Sequence, residues 1–241
     1  LIAGADGYWN PVVGKPTIQY AEHYYFNEEH GYENVYTYLG SPYTGCYTHL
    51  SDGVGFANYT AHGSETSWAD PSFTVSNVYS LTNTDKYFWA MGNCCNAADW
   101  GYYSTSFGEA MIRAEEKAAF SYIGSCPVTY WWEDYYFGVG ATTITNRMPT
   151  FEETTMGNYD AQFLEDTYNT IAAVPFVGNL AVAYSHTESG YESAATTRYY
   201  FEAYHVLGDA SIMPYRSMPS ENSVSHLPTV PIGMNFYTVN A

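Results

Sequence analysis

Basic residues are scarce in this chain: 7 Lys and Arg stand against 25 Asp and Glu, for a formal net charge of −18. Such a surface repels nucleic-acid phosphates and anionic membranes and attracts cationic ligands, so a nucleic-acid partner is excluded; the same balance also serves plain solubility. Only three lysines occur, Lys15, Lys86 and Lys117, a scarcity that suits a chain living among proteases. No apolar run approaches the ~18–20 residues that a membrane-spanning helix needs. The opening LIAGADGYWN has no initiator Met, basic n-region or apolar h-region, so it is not a signal peptide. It reads as a buried strand running into a loop, and hence as the start of a processed or truncated piece.

Cysteine is sparse too. The adjacent pair Cys94 and Cys95 has Cα atoms ~3.8 Å apart across a trans peptide, below the usual disulfide range of ~4.4–6.8 Å. Cys46 and Cys126 are left to pair, though nothing in the sequence requires it, so at least one thiol is expected free. No C-x-x-C pair or His/Cys cluster has zinc spacing, and no D-x-D-x-D-G calcium loop is present.

What is abundant is apolar and aromatic. Hydrophobic residues make up 46% of 241, which rules out intrinsic disorder and suffices for one sizeable core or two small ones. Aromatics reach 19%, with 27 tyrosines; a rigid extracellular enzyme with a lined cleft and a carbohydrate-binding module fit that equally.

Short apolar strands alternate with helical stretches. Strands are expected at 1–5, 54–59, 87–91 and 119–124; helices at 15–30, 107–118, 130–139, 159–172 and 197–206, with a helix or turn at 74–81. Crossovers of this length predict an α/β fold, a mostly parallel sheet with helices on both faces. From Met218 the texture changes, and Pro219, Pro228 and Pro231 break any helix; this stretch reads as a linker into another module.

Two segments carry candidate chemistry, Thr60-Ala61-His62-Gly63 and Gly92-Asn93-Cys94-Cys95. Each ends a buried strand, and the strands are successive, so a parallel sheet opens both onto one edge. A thiolate attacks carbonyl carbon; an imidazole beside it lowers the thiol pKa and later protonates a leaving amine. Gly63 lets a substrate carbonyl approach, and its N–H with that of Cys95 can form an oxyanion hole. Strand neighbours point to opposite faces, so only one of the two cysteines can act; periodicity leaves open which.

The runs LIAGADGYWNP, FANYTAHGSETSWADP, MGNCCNAADW, YIGSCPVTYWWEDYYFGVG and FEAYHVLGDASIMPYRSMP resemble the gingipains, clan-mates of the caspases, and most closely their lysine-specific branch. The likeness runs from residue 1 to about 218. It implies a caspase-like catalytic subdomain at 1–218, with 219–241 a linker and the start of an immunoglobulin-like domain; an upstream non-catalytic subdomain belongs to the same precursor. It also implies a bacterial cysteine endopeptidase, secreted or held at the outer surface, acting on proteins and peptides. The nucleophile falls on Cys95, the histidine on His62 and the third member on Asp6, which otherwise reads as a turn residue. Gly63 and Cys95 match the oxyanion donors.

Recognising a buried basic side chain needs a carboxylate at the pocket floor. By resemblance that acid is Asp134, with Thr60 and Trp131 lining the pocket and Trp9 at the neighbouring subsite. Arginine-specific relatives carry the pocket acid shortly after the triad acid, and here residues 7–21 hold no Asp or Glu. The chain therefore sides with lysine. It departs from the pattern at Trp132, where glycine is usual, and at Cys126, where serine is. His205 falls in a matching motif with no role assigned. No cofactor is expected for catalysis; structural calcium is a family trait with no position legible here. Arginine or mixed specificity, a tyrosine-rich adhesin module and a fragment that folds only with its upstream part are the alternatives.

Overall fold

The computed structural model describes residues 1–164, 170–188, 194–215, 224–226, 228–229, 232–233, 236 and 238–240. Its centre is a sheet of six strands in the order β2-β1-β3-β7-β8-β9. In chain order the strands are β1 (Ile2–Ala3), β2 (Tyr38–Leu39), β3 (Phe56–Thr60), β4 (Gly63–Ser64), β5 (Ser67–Trp68), β6 (Phe73–Thr74), β7 (Phe88–Asn93), β8 (Ala119–Ser125), β9 (Tyr204–Gly208), β10 (Ser225–His226) and β11 (Val239–Asn240). β1 pairs parallel with β2 and β3, β3 with β7 and β7 with β8, while β9 closes the edge antiparallel to β8. The expected mostly parallel sheet is thus present. β4, β5 and β6 form a small antiparallel sheet just after β3, and β10 pairs antiparallel with β11.

The helices are α1 (Lys15–Tyr24), α2 (Cys46–Asp52), α3 (Val75–Tyr79), α4 (Phe107–Arg113), α5 (Trp131–Val139), α6 (Asn158–Gln162), α7 (Ala173–Glu188) and α8 (Ala194–Ala203). Alternation along the central strands feeds two cores. Ala57, Tyr59, Phe88, Ala90 and Tyr122 point to one face, where α2, α3 and α4 bring Leu50, Val78, Phe107 and Met111. Trp89, Met91 and Ile123 point to the other, against Tyr20 of α1, Phe137 of α5, Tyr159 of α6, Val182 of α7 and Tyr200 of α8. Helices therefore cover both faces.

Several boundaries differ from expectation. The helix begun at Lys15 stops at Tyr24, followed by a short 3-10 turn at Glu28–His30, and the first strand spans only Ile2–Ala3. The stretch 197–206 is not helical throughout: the chain leaves α8 at Ala203 because Tyr204–Gly208 pairs with β8. The helix expected at 159–172 closes at Gln162, and 165–169 lie outside the described residues. Much of the expected linker at 219–241, 219–223 included, also lies outside them.

Candidate active site

β1, β3 and β7 end in one row: Ala3 pairs with Thr60, and Thr60 with Asn93. Just past that row stand Asp6, His62 and Cys95, so the parallel direction of the three strands gathers the residues singled out in sequence at one edge.

Asp6 Oδ2 lies 3.0 Å from His62 Nε2. Asp6 Oδ1 accepts the amides of Trp9, at 2.6 Å, and Tyr8, at 2.8 Å. The Trp9 amide above all, with the imidazole and the Tyr8 amide, holds the Asp6 carboxyl below its ordinary range against a smaller opposing effect of burial. A carboxylate only accepts, so Nε2 carries the proton and Nδ1 is the imidazole's free nitrogen. The His62 ring is exposed at its rim and meets Trp131 edge-on, with centroids 5.1 Å apart.

The two cysteines differ in environment. Cys94 is fully buried, and burial first, then the neighbouring Cys95 and Asp134, pushes its thiol well above the ordinary range. Cys95 is only half-buried. Its Sγ accepts the Thr129 N–H at 3.3 Å and donates to the Thr129 carbonyl at 3.6 Å. It makes no hydrogen bond to His62 here, so a thiol–imidazole bond requires Sγ to turn from Thr129. The strand tips themselves are in contact: a Cβ on Gly63 would meet both Cys94 Sγ and the Cys95 carbonyl at 2.6 Å. Only glycine lets the two backbones pass this closely.

Asp134 sits in the first turns of α5 and is 4% exposed. Three hydroxyls donate to its carboxyl: Thr129 to Oδ2 at 2.7 Å, and Tyr204 at 3.0 Å and Tyr200 at 3.3 Å to Oδ1. Burial outweighs those donors and raises its pKa to about 7. No Lys, Arg or His forms an ion pair with it among the described residues. Asn93 Nδ2 donates to the Asp134 backbone carbonyl at 2.8 Å, and its Oδ1 shares the single Tyr204 hydroxyl proton with the Asp134 carboxyl, tying α5 to the β7 tip. Thr60 Oγ1 is buried at the end of β3 and lacks a hydrogen bond of good geometry.

The tryptophans form a connected rim. Trp9 stacks on Trp131 at 5.9 Å, and Trp132, 56% exposed, meets Trp9 edge-on at 6.5 Å. The structure thus gathers predicted residues into two groups, Asp6–His62–Trp131–Trp9 and Cys95–Asp134, the latter bridged by Thr129, with Gly63 packed against the cysteine pair. Sequence reasoning missed Thr129, Tyr200 and Tyr204. No spacing rule links a strand-end thiol to a hydroxyl 34 residues on, and Tyr200 and Tyr204 lie 66 and 70 residues beyond Asp134.

The remaining candidates resolve simply. All four cysteines are free, so Cys46 and Cys126 do not pair. Cys46 is buried in the first core, and Cys126 donates to Asp99 Oδ1 at 3.6 Å. His205 is a half-buried residue of β9, edge-on to Trp100. No group of three or more His, Cys, Asp or Glu gathers among the described residues, so calcium is assigned no position. No helix there is long and apolar enough to cross a membrane.

Residues 7–215 match the model of peptidase family C25. Over its full length the chain is 55% identical to Lys-gingipain of Porphyromonas gingivalis, while spanning only 14% of that relative. A solved protease structure superposes with a TM-score of 0.90 at 55% identity, over 96% of this chain and 51% of that one. The crystal structure of the Arg-specific cysteine proteinase gingipain R follows at a TM-score of 0.62 and 20% identity, over 84% of this chain and 44% of that one, a likeness of fold. The matched span holds every strand of the central sheet except β1, and the chain belongs to peptidase family C25.

Proposed function

We propose that this chain is the catalytic portion of a cysteine endopeptidase that cuts after lysine, with Cys95 as nucleophile and His62 as its acid–base partner. One observation carries the reading. A reachable thiol and a carboxylate-held imidazole stand at neighbouring strand tips, and a single residue separates that thiol from a buried carboxylate with no ion-pair partner among the described residues.

The chemistry follows from those positions. The Cys95 thiol gives its proton to His62 Nδ1, and the Asp6 carboxylate on the far nitrogen stabilises the imidazolium. The thiolate adds to the scissile carbonyl carbon. The new oxyanion accepts the Gly63 and Cys95 N–H groups, each such donor being worth ~10²–10³ in rate. As the C–N bond breaks, the imidazolium protonates the departing amine. Water, deprotonated by the imidazole, then cleaves the thioester and restores the thiol. Proton transfer of this kind contributes ~10²–10⁴.

Specificity rests on Asp134. Burial raises its carboxyl to a pKa of about 7; an arriving ammonium ion pairs with it and favours the carboxylate. The Thr60 hydroxyl supplies an acceptor for the same ammonium, and Trp131 an apolar wall for the lysine stem. Trp9 extends that wall toward the neighbouring subsite. Likeness to relatives also supports a bacterial protein exported to the cell surface or beyond. On the same basis 1–218 act as the catalytic subdomain, 219–241 lead into an immunoglobulin-like domain, and an upstream subdomain completes the unit.

Paired assays with reporter peptides differing only in Lys or Arg at the cleaved position test the reading. Cleavage after Lys at least tenfold faster in kcat/KM supports it. Equal or reversed rates would move the chain to arginine or mixed specificity, and no cleavage of either, with a thiol no more reactive than free cysteine, would favour a binding module.

A further inference from the structure

The Asp6–His62 contact is the shorter side of a closed ring of hydrogen bonds. Tyr59, on β3 and fully buried, donates its hydroxyl to the His62 carbonyl at 2.6 Å. That same hydroxyl accepts the Asp70 N–H at 3.3 Å. Asp70 in turn uses Oδ2 to accept the N–H of Ala5, the residue before Asp6, at 3.1 Å, and the Tyr43 hydroxyl at 3.1 Å. The path His62, Tyr59, Asp70, Ala5, Asp6 therefore returns to its start through the 3.0 Å carboxylate–imidazole contact. Gly4 is packed into the ring: a Cβ there would meet Ala61 Cβ at 2.5 Å, the Asp70 carbonyl at 2.7 Å and the Tyr59 hydroxyl at 2.9 Å.

We propose that Tyr59 and Asp70 are positioning residues that fix the catalytic carboxylate against the imidazole. The inference rests on the roles given above to Asp6 and His62. β1 contributes only two paired residues before the chain leaves the sheet, so the ladder ends before Asp6. Asp6 Oδ1 is bound by its own loop, through Tyr8 and Trp9, which sets the carboxyl within the loop but not the loop against β3. The side chains of Asp70 and Tyr59 join Ala5 to the His62 backbone. The His62 carbonyl keeps a second donor, the Ala69 N–H at 3.0 Å, so removing the Tyr59 hydroxyl does not orphan a buried acceptor.

The test is a double-mutant cycle read with an activated lysyl ester, whose good leaving group keeps weakened enzymes measurable. Tyr59→Phe is expected to lower kcat roughly 10- to 100-fold with KM changed less than about twofold, as misplacing a catalytic group does. In an Asp6→Asn background the same substitution is expected to cost less than about twofold, because the contact it protects is already gone. A merely structural residue would cost the same in both backgrounds. That result, or full activity of Tyr59→Phe, overturns the proposal. Asp70→Ala runs the same cycle should Tyr59→Phe fail to fold. His62→Ala separates the two levels: if it keeps activity, the assignment of His62 falls and this inference with it; if it is inactive while Tyr59→Phe and Asp70→Ala turn over normally, only this inference falls.

Discussion

Cys95 and Asp134 are joined through Thr129, whose N–H donates to the Cys95 sulfur at 3.3 Å while its hydroxyl donates to the Asp134 carboxyl at 2.7 Å. In the proposed function a lysine whose ammonium reaches Asp134 lies one residue from the thiol. Thr129, between β8 and α5, touches both side chains.

Burial separates the two thiols. Cys95→Ala is expected to abolish hydrolysis of a lysyl reporter peptide, because the reachable sulfur is lost. Cys94→Ala removes a fully buried sulfur from the first core and is expected to cost about 1–2 kcal/mol of stability while most activity remains. Urea melts and turnover of the two variants check both halves; equal loss of activity would refute the assignment.

Asp134→Asn keeps the volume of the buried group and removes its charge. It is expected to weaken kcat/KM for lysyl substrates by about 2–5 kcal/mol, the usual cost of truncating a buried charge partner. An unchanged lysine preference would place the pocket elsewhere.

The same carboxyl sets a pH dependence whose sign follows from its raised pKa. Unfolded, Asp134 ionises near its ordinary 3.8; in the folded chain burial raises that to about 7. Between those values the native state holds the extra proton, so this group's contribution to stability falls as pH rises through the window. The stability of Asp134→Asn relative to the parent is therefore expected to improve from pH 4 to pH 7 and then level off, in denaturant titrations. Lysine binding draws the carboxyl to its charged form, so calorimetry below pH 7 in buffers of different ionisation enthalpy is expected to show proton release on binding.

Gly63→Ala inserts a methyl group at 2.6 Å from both Cys94 Sγ and the Cys95 carbonyl. Both neighbours belong to the β7 tip, and one is backbone, so the tips must part. Loss of at least about 1–3 kcal/mol of stability is expected, together with lysyl hydrolysis. A variant with parental melting temperature and rate would contradict this packing.

The strand tips were legible because β3 and β7 are short, largely apolar runs that lead into His62-Gly63 and Cys94-Cys95. The pattern that marks a buried parallel strand also marks where it opens. Asp6 was legible only through the family likeness: β1 is too short to advertise its end, and an acid before Gly7 looks like any turn. Burial of Asp134 was equally invisible, since an acid between Glu133 and Tyr135 in a helix reads as solvated until Tyr200 and Tyr204 are packed over it. The antiparallel edge β9 escaped because Tyr204–Gly208 continues a helical pattern, and only pairing with β8 overrides it. Thr129 needed coordinates, as its two bonds cross from a loop to separate elements.

The proposed function requires one sulfur, that of Cys95, to do the chemistry beside the carboxylate of Asp134. A lysyl chloromethyl ketone delivers a reactive carbon to whichever nucleophile faces the bound lysine, and peptide mapping by mass spectrometry identifies it. The account expects a single adduct on Cys95, formed far faster than with a neutral chloromethyl ketone and slowed by Asp134→Asn. An adduct on Cys94, Cys126 or another residue, or labelling of Cys95 indifferent to the lysyl group, would contradict it.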